Sequence, residues 1–343
     1  MWSQEETTMT DQIQRLAPPS PANPAGAARS RRQNIIVRFN LLFIFVALFV
    51  VASITAPQFL TSQNLANLLQ QSSLTGIVAI GMTVVILTSG IDLSVGSVAA
   101  LSGMLVAILI GLGIAWPVAM VLAILSGLVL GGIMGGLSAY LALPAFMVTL
   151  AGMQSIRGLT FLTTNGTPTT AEIPIGLRFL GAGSVAGIPV VGLIFVITTV
   201  IVGLVLRRTT FGEHVYAVGS NAKAARLSGL PVQRITTAAY VICGGLAALT
   251  GVLLTARLTI GQPTAHTGLE LDAIAAVVLG GTSLFGGKGG VMGTFIAVLL
   301  LSVLRNLFNL MGLSSFFQML VTGLILIAAL IMNYVLDRQT KTA

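Results

Sequence analysis

One carboxylate inside a long uncharged run constrains this chain more than any other feature. Residues 76–103 read GIVAIGMTVVILTSGIDLSVGSVAALSG, and Asp92 is the only charged residue among them. The run begins as an apolar helix, breaks at Thr88-Ser89-Gly90 and resumes at Val95-Gly96-Ser97. A charge at bilayer depth costs roughly 2.5–3.5 kcal/mol unless it faces protein or water. Irregular backbone at that depth persists only where protein buries it or where it lines a wet cavity. Interrupted helices of this kind mark substrate sites in transporters. Two compatible readings of Asp92 follow. It is an acceptor on a transport pathway, or it caps the next helix by accepting from the amides of Val95 or Gly96.

The rest of the chain agrees with a membrane setting. Only 8% of the 343 residues are charged and mean hydropathy is +0.98, where soluble domains carry roughly 25% charge. The net charge of +8 is not a nucleic-acid face, because the basic residues cluster at hydrophilic breaks between apolar runs, the pattern of the positive-inside rule. A span needs about 20 apolar residues. On that scale helices fall near 39–56, 72–89, 95–113, 115–138, 144–163, 188–206, 235–257, 270–285, 290–312 and 315–335. The eighth is short and Gly-rich, and is either spanning or re-entrant. The fold class expected is an all-α polytopic membrane protein of about ten helices.

Domain organisation follows from the same reading. Residues 1–38, polar and centred on Pro18-Pro19-Ser20-Pro21, are expected as a disordered cytoplasmic tail with too little apolar material to offset ordering. No signal peptide is expected, since the first apolar run is long enough to span and lacks a suitable cleavage site. Arg29, Arg31, Arg32 and Arg38 hold the N-terminus inside. Residues 39–336 form the transmembrane domain and 337–343 a cytoplasmic C-terminal tail. Alternation places the loop 207–234 inside, with Arg207, Arg208, Lys223, Arg226 and Arg234. The loops at 164–187 and near 258–269 fall outside.

Charges within helices read as structural. Arg157, Arg257 and Arg305 are expected to snorkel or to pair with helix-end carbonyls. Glu270 and Asp272 favour the N-terminus of the eighth helix. Small residues such as Gly127, Gly131 and Gly135 let helices approach closely. The segment from Val85 through Ser89 to Gly96 weakly resembles that from Val277 through Gly281 to Gly290. In both, an apolar helix ends in a Gly/Ser/Thr break and another follows, a pseudo-repeat of two halves. Corresponding interruptions in two halves point to a transporter's central pathway.

Catalytic chemistry does not emerge. The string from Gly281 to Gly289 fails as a phosphate loop, because Gly289 stands where Ser or Thr should ligate magnesium. No cofactor is therefore expected on this chain. His214 and His266 fall on opposite sides of the membrane and form no metal pair. The lone Cys243 sits in an apolar run and reads as a packed small hydrophobe. In the longest inside loop, Asn221 caps an Ala-rich stretch that Gly229 stops. A short helix held at the membrane face suits docking into a groove of a partner protein, and a solvated basic loop that only sets orientation is the alternative.

That loop, with GMTVVILTSGIDLSVGS at 81–97, QPTAHTG at 262–268 and ELDAIAAVVLGGTSLFGGKG at 270–289, resembles the permease subunits of ABC importers for simple sugars. The likeness covers about residues 40–335. It is to the ribose, xylose, arabinose and galactose group, most of all to its ribose permeases. The resemblance implies a non-catalytic subunit of the bacterial inner membrane with both termini cytoplasmic. Its implied partners are ABC ATPase subunits, which bind the ATP, a second permease copy (identical or related) and an extracytoplasmic sugar-binding protein. It places 212–229 in an ATPase groove, with Gly212, Glu213, Asn221, Ala224, Ala225 and Gly229 as contact or shape residues. Thr83, Thr88, Ser89 and Asp92 would line the path, and polar groups such as Thr83, Ser89 and Gln262 could exchange hydrogen bonds with sugar hydroxyls at low desolvation cost. The rival reading is an ion-coupled secondary sugar transporter without an ATPase. It shares the broken helices but would usually carry several intramembrane carboxylates.

Overall fold

The computed structural model describes residues 41–170 and 172–341. The expected tail at 1–38 lies outside the described residues. The chain is an all-α polytopic membrane protein. Its helices are α1 Leu41–Thr55, α2 Ser62–Leu87, α3 Val95–Gly111, α4 Trp116–Tyr140 and α5 Ala145–Leu162. A short α6, Ile175–Ala182, precedes α7, Val190–Arg208. Two small helices, α8 Thr210–Ser220 and α9 Ala222–Leu227, then lead into α10, Val232–Leu258. The last three are α11 Leu269–Leu279, α12 Val291–Leu310 and α13 Ser315–Lys341. Six of these, namely α2, α4, α5, α7, α10 and α12, are long and apolar enough to cross a membrane.

The broken segment of the sequence lies at the centre. In α2, 78% of the most apolar window is buried, whereas α4, α5 and α7 present Val129, Leu150 and Ile201 outward. In lipid such outward apolar faces carry no hydrophobic penalty, so a membrane helix need not be amphipathic. Helix α10 packs along α4, α3 and α2. Its approach to α4 is close enough that a Cβ on Gly244 would overlap the Gly127 carbonyl oxygen. Small residues therefore set this contact, as the sequence predicts.

Helix bounds match the expected ones within a few residues, with three differences. Helix α2 starts at Ser62, ten residues before the expected start at 72, through the polar stretch SQNLANLLQQ. Thr61 caps it by accepting from the amide of Asn64, and Asn64 exchanges side-chain hydrogen bonds with Asn306 on α12. Apolar periodicity misses such a turn because cross-helix amides replace water there. Helix α11 has 11 residues, about 16 Å at 1.5 Å per residue, or half the roughly 30 Å hydrocarbon core. Helix α13 continues through Lys341, so residues 337–341 extend the last helix.

Strands β1 (Thr169–Thr170) and β4 (Ile260–Gly261) pair antiparallel, with Thr169 opposite Gly261. Strands β2 (Ser184–Val185) and β3 (Ile188–Pro189) form a second such pair.

Candidate functional site

Three chain segments converge where α2 ends. Thr88 Oγ1 donates to Val85 O at 2.8 Å, and Ser89 turns left-handed at φ 65°. Ser89 Oγ lies within hydrogen-bond distance of two carbonyls, Gly219 O at 3.0 Å and Phe285 O at 2.7 Å. The Gly287 amide donates to Leu87 O at 3.0 Å. A Cβ on Gly219 would overlap that same Leu87 oxygen. The end of α2, the end of α8 and the Gly-rich loop after α11 thus form one tight junction. One layer further in, Thr83 Oγ1 meets Thr294 Oγ1 of α12 at 2.8 Å. The two interruptions that resemble each other in sequence are neighbours in space.

Asp92 is buried, at 1% exposure. Its Oδ1 accepts from the Ser94 amide at 2.9 Å and the Ser94 hydroxyl at 2.6 Å. Ser94 is the N-cap residue of α3 and makes no side-chain cap bond of its own. The carboxylate therefore holds the turn ahead of α3, and the expected bonds to Val95 or Gly96 are replaced by the pair at Ser94. The carbonyl of Ile91 accepts from Tyr240 Oη at 3.2 Å and Thr149 Oγ1 at 3.1 Å, tying the break to α10 and α5. Of the residues singled out for a pathway, Thr83, Thr88 and Asp92 are buried, while Ser89 and Gln262 are exposed. Thr88, Ser89 and Asp92 share the break, Thr83 lies one turn before it within α2, and Gln262 lies elsewhere.

Helices α8 and α9 stand at the junction's outer side. Thr209 caps α8 by accepting from the Gly212 amide. Asn221 Oδ1 caps α9, accepting from Lys223 N at 3.1 Å and Ala224 N at 3.0 Å. Gly229 ends the unit at φ 82°, and the Leu230 amide closes back on Ala225 O at 3.0 Å. Glu213, Asn221, Ala224 and Gly229 are exposed, whereas Gly212 and Ala225 are buried. The first group forms an outward face and the second seats the unit on the bundle. Two features escaped the sequence reading. Helix α8 is one. Leu227 is the other, an apolar side chain 91% exposed whose signal was a lone leucine beside Arg226.

Gln262 belongs to a second feature. The loop near 258–269, after α10, was expected to fall outside. Its start pairs with β1, but it then turns back until the His266 carbonyl lies against Gly96 at the start of α3. Arg157 of α5 explains how polar backbone can return into the bundle. Its Nη1 donates to Pro263 O at 2.9 Å and Ala265 O at 2.8 Å, satisfying carbonyls that lipid could not. Arg157 thus pairs with loop carbonyls rather than helix-end ones. Arg305 departs further from expectation, making a bidentate ion pair with Asp272, with Nη1 to Oδ2 at 2.8 Å. Glu270 does serve the start of α11, its Oε1 accepting from the Gly268 amide at 3.2 Å. A cavity of about 10 Å³ lies between the returning segment, α3 and α10, lined among others by Thr255, Gln262 and His266.

Comparison with known proteins gives a consistent picture. The family model described as "Branched-chain amino acid transport system / permease component" matches residues 64–330. The chain is similar to the ribose import permease protein of Bacillus subtilis (strain 168), at 46% identity over 85% of this chain and 90% of that protein. The ribose import permease protein of Escherichia coli K12 is 43% identical, over 85% of this chain and 92% of its own. The L-arabinose ABC transporter permease protein of Azospirillum brasilense is 36% identical, over 96% and 97%. No solved structure matches the chain.

Proposed function

As this chain belongs to the branched-chain amino acid transport system permease family, we propose that it is the membrane-spanning subunit of an ATP-driven ABC importer for a monosaccharide, ribose or another pentose. The observation that carries the reading is identity of 43–46% to ribose import permeases along nearly their whole length. In this reading the chain is non-catalytic and binds no cofactor; ATP is bound by partner ATPase subunits. A second permease copy and an extracytoplasmic binding protein complete the complex. The protein lies in the bacterial inner membrane with both termini cytoplasmic, so α8 and α9 face the cytoplasm. Residues 1–38 precede the transmembrane domain 39–336 as a tail.

The outward face of Glu213, Asn221, Ala224, Leu227 and Gly229 then docks into the ATPase, with Gly212 and Ala225 shaping its seat. An amphipathic unit with one protruding apolar side chain suits such a groove. Closure of the ATPase pair on ATP displaces α8, and the junction passes that displacement to the break at Ser89 and to the loop at Phe285. Asp92, Thr83 and Thr88 hold the moving wall, and Gln262 meets the sugar. An importer has to release its cargo, so weak polar contacts serve it better than a tight site.

The test is a tagged pull-down from native membranes in mild detergent, beside a variant whose residues 221–226 are a Gly/Ser linker. An ATPase subunit recovered with the native chain and lost with the variant is the expected result. A native chain recovered alone, from membranes that contain such an ATPase, overturns the reading in favour of a stand-alone transporter.

A further inference from the structure

The returning segment carries two polar atoms that its surroundings leave unanswered. His266 Nε2 and Glu270 Oε2 are both sealed from solvent and neither has a hydrogen-bond partner. A buried donor or acceptor without a partner costs about 1–3 kcal/mol, and more when charged. The two residues stand four positions apart. Arg157 lends Glu270 an opposite charge and the Gly268 amide donates to its other oxygen, yet neither Nε2 nor Oε2 gains a hydrogen bond. Both residues meet the first turn of α3, since a Cβ on Gly96 would strike Glu270 Oε2 and the His266 carbonyl oxygen. Glycine is therefore what allows the carboxylate and the loop to reach the helix.

The backbone here is strained as well. Thr259 and His266 hold left-handed φ values of 59° and 60°, and Gly268 follows at 85°. A β-branched residue at positive φ is a genuine outlier, and such strain of about 1–3 kcal/mol per residue clusters at ligand clamps and switch regions. Beside the segment lies the cavity of about 10 Å³ that His266 lines with Gln262 and Thr255. That volume holds about one water and no sugar. The cavity's walls are mostly small and apolar, with Thr255, Gln262 and His266 as the polar side chains.

We propose that segment 262–270 is a recognition site for adjacent hydroxyls of a monosaccharide, with His266 Nε2 and Glu270 Oε2 as its polar contacts. The carboxylate oxygen accepts from one sugar hydroxyl, and the imidazole nitrogen exchanges a hydrogen bond with its neighbour. Gln262 borders the cavity with His266, and Glu270 meets α3 at Gly96, one turn before Ala99 and Ala100, which line that cavity. Arg157, through the carbonyls of Pro263 and Ala265, is a positioning residue that fixes the segment against α5. The strained turns at Thr259 and His266 are where the segment opens to admit the ring. This inference rests on the sugar-permease reading.

The experiment uses the intact transporter, reconstituted in liposomes with its ATPase subunits and binding protein. Uptake of D-ribose is compared with uptake of deoxy-D-riboses that each lack one hydroxyl. The same binding protein throughout makes its own selectivity cancel between native and variant chains. His266→Asn and Glu270→Gln are each expected to lower the preference for D-ribose over one deoxy sugar by about tenfold, the worth of one good hydrogen bond to a charged group. A variant that slows all sugars equally, with every ratio preserved, makes the residues structural and overturns the site. Variants with native uptake and native ratios overturn it too, and leave the permease reading standing. No sugar uptake by the unsubstituted complex overturns that reading and the site together.

Discussion

Arg305 and Asp272 show how a single side chain earns its place inside a bundle. The guanidinium spans from α12 to the first turn of α11 and meets both carboxylate oxygens, with side-chain exposures of 34% and 27%. Breaking a fully buried pair costs about 3–5 kcal/mol because one charge is stranded. With about a third of each side chain still exposed, we expect Arg305→Gln to lower stability by about 1–2 kcal/mol after screening is allowed for. Adding Asp272→Asn should restore part of the loss, read as the melting midpoint in detergent. A double variant no better than the single one would show that the arginine acts through packing alone. Arg157 makes a companion case. Arg157→Met leaves the Pro263 and Ala265 carbonyls unpaired, so the segment should loosen. A Gln262→Cys probe in a Cys243→Ser background should then react faster with a polar maleimide. The background suits the purpose, because Cys243 is the only cysteine in the chain and fully buried. Unchanged reactivity would mean that other contacts hold the segment. Neither arginine's partner was legible in the sequence, since both lie more than thirty positions away, on other elements.

At the scale of elements, the end of α8 is the place where the least change should do the most. Gly219 lies against Leu87 O and Gly287, and any side chain there forces the three segments apart. Gly219→Ala should therefore abolish uptake. The outward face of α9 is untouched by it, so the ATPase should still be recovered in the pull-down. Loss of both would make Gly219 a folding residue instead of a link. The opposite dissociation belongs to Leu227, which is 91% exposed. Leu227→Ser should change stability by less than about 0.5 kcal/mol, as surface substitutions do, while weakening ATPase recovery. Equal recovery would remove Leu227 from the docking face. The cap at Asn221 and the stop at Gly229 could be read in advance because capping is a local matter of one side chain and two or three amides. Helix α8 was missed although Thr209 caps it, since its Val215, Val218 and Gly219 are buried against the bundle, and that tertiary contact is not visible in the local sequence.

On the scale of the molecule, the two interrupted segments alone suggested a shared pathway, and their meeting gives that suggestion a mechanical form. The order of helices and most of their bounds followed from apolar length, which lipid enforces strongly because unpaired backbone has no refuge there. What apolar length could not reveal is that the segment after α10 returns into the bundle. Its polar backbone is answered by Arg157, a residue far off in the chain. Nor could it reveal which break residues face a path and which tie the halves together. Thr83 sharpens that question. It is fully buried and its hydroxyl meets Thr294 across the two halves at 2.8 Å. As a tie, it predicts a coupled pair. Thr83→Val and Thr294→Val should each cost about 0.5–1 kcal/mol, in the range of interhelical hydrogen bonds within membranes, and the double variant should cost less than their sum. Uptake should stay within about twofold of native in all three, since one such bond is worth little in a packed bundle. As a pathway contact, Thr83→Val alone should slow uptake while Thr294→Val does not, with additive stabilities. A double-mutant cycle run with both readouts separates a hydroxyl that holds the two halves in register from one that touches the passing sugar.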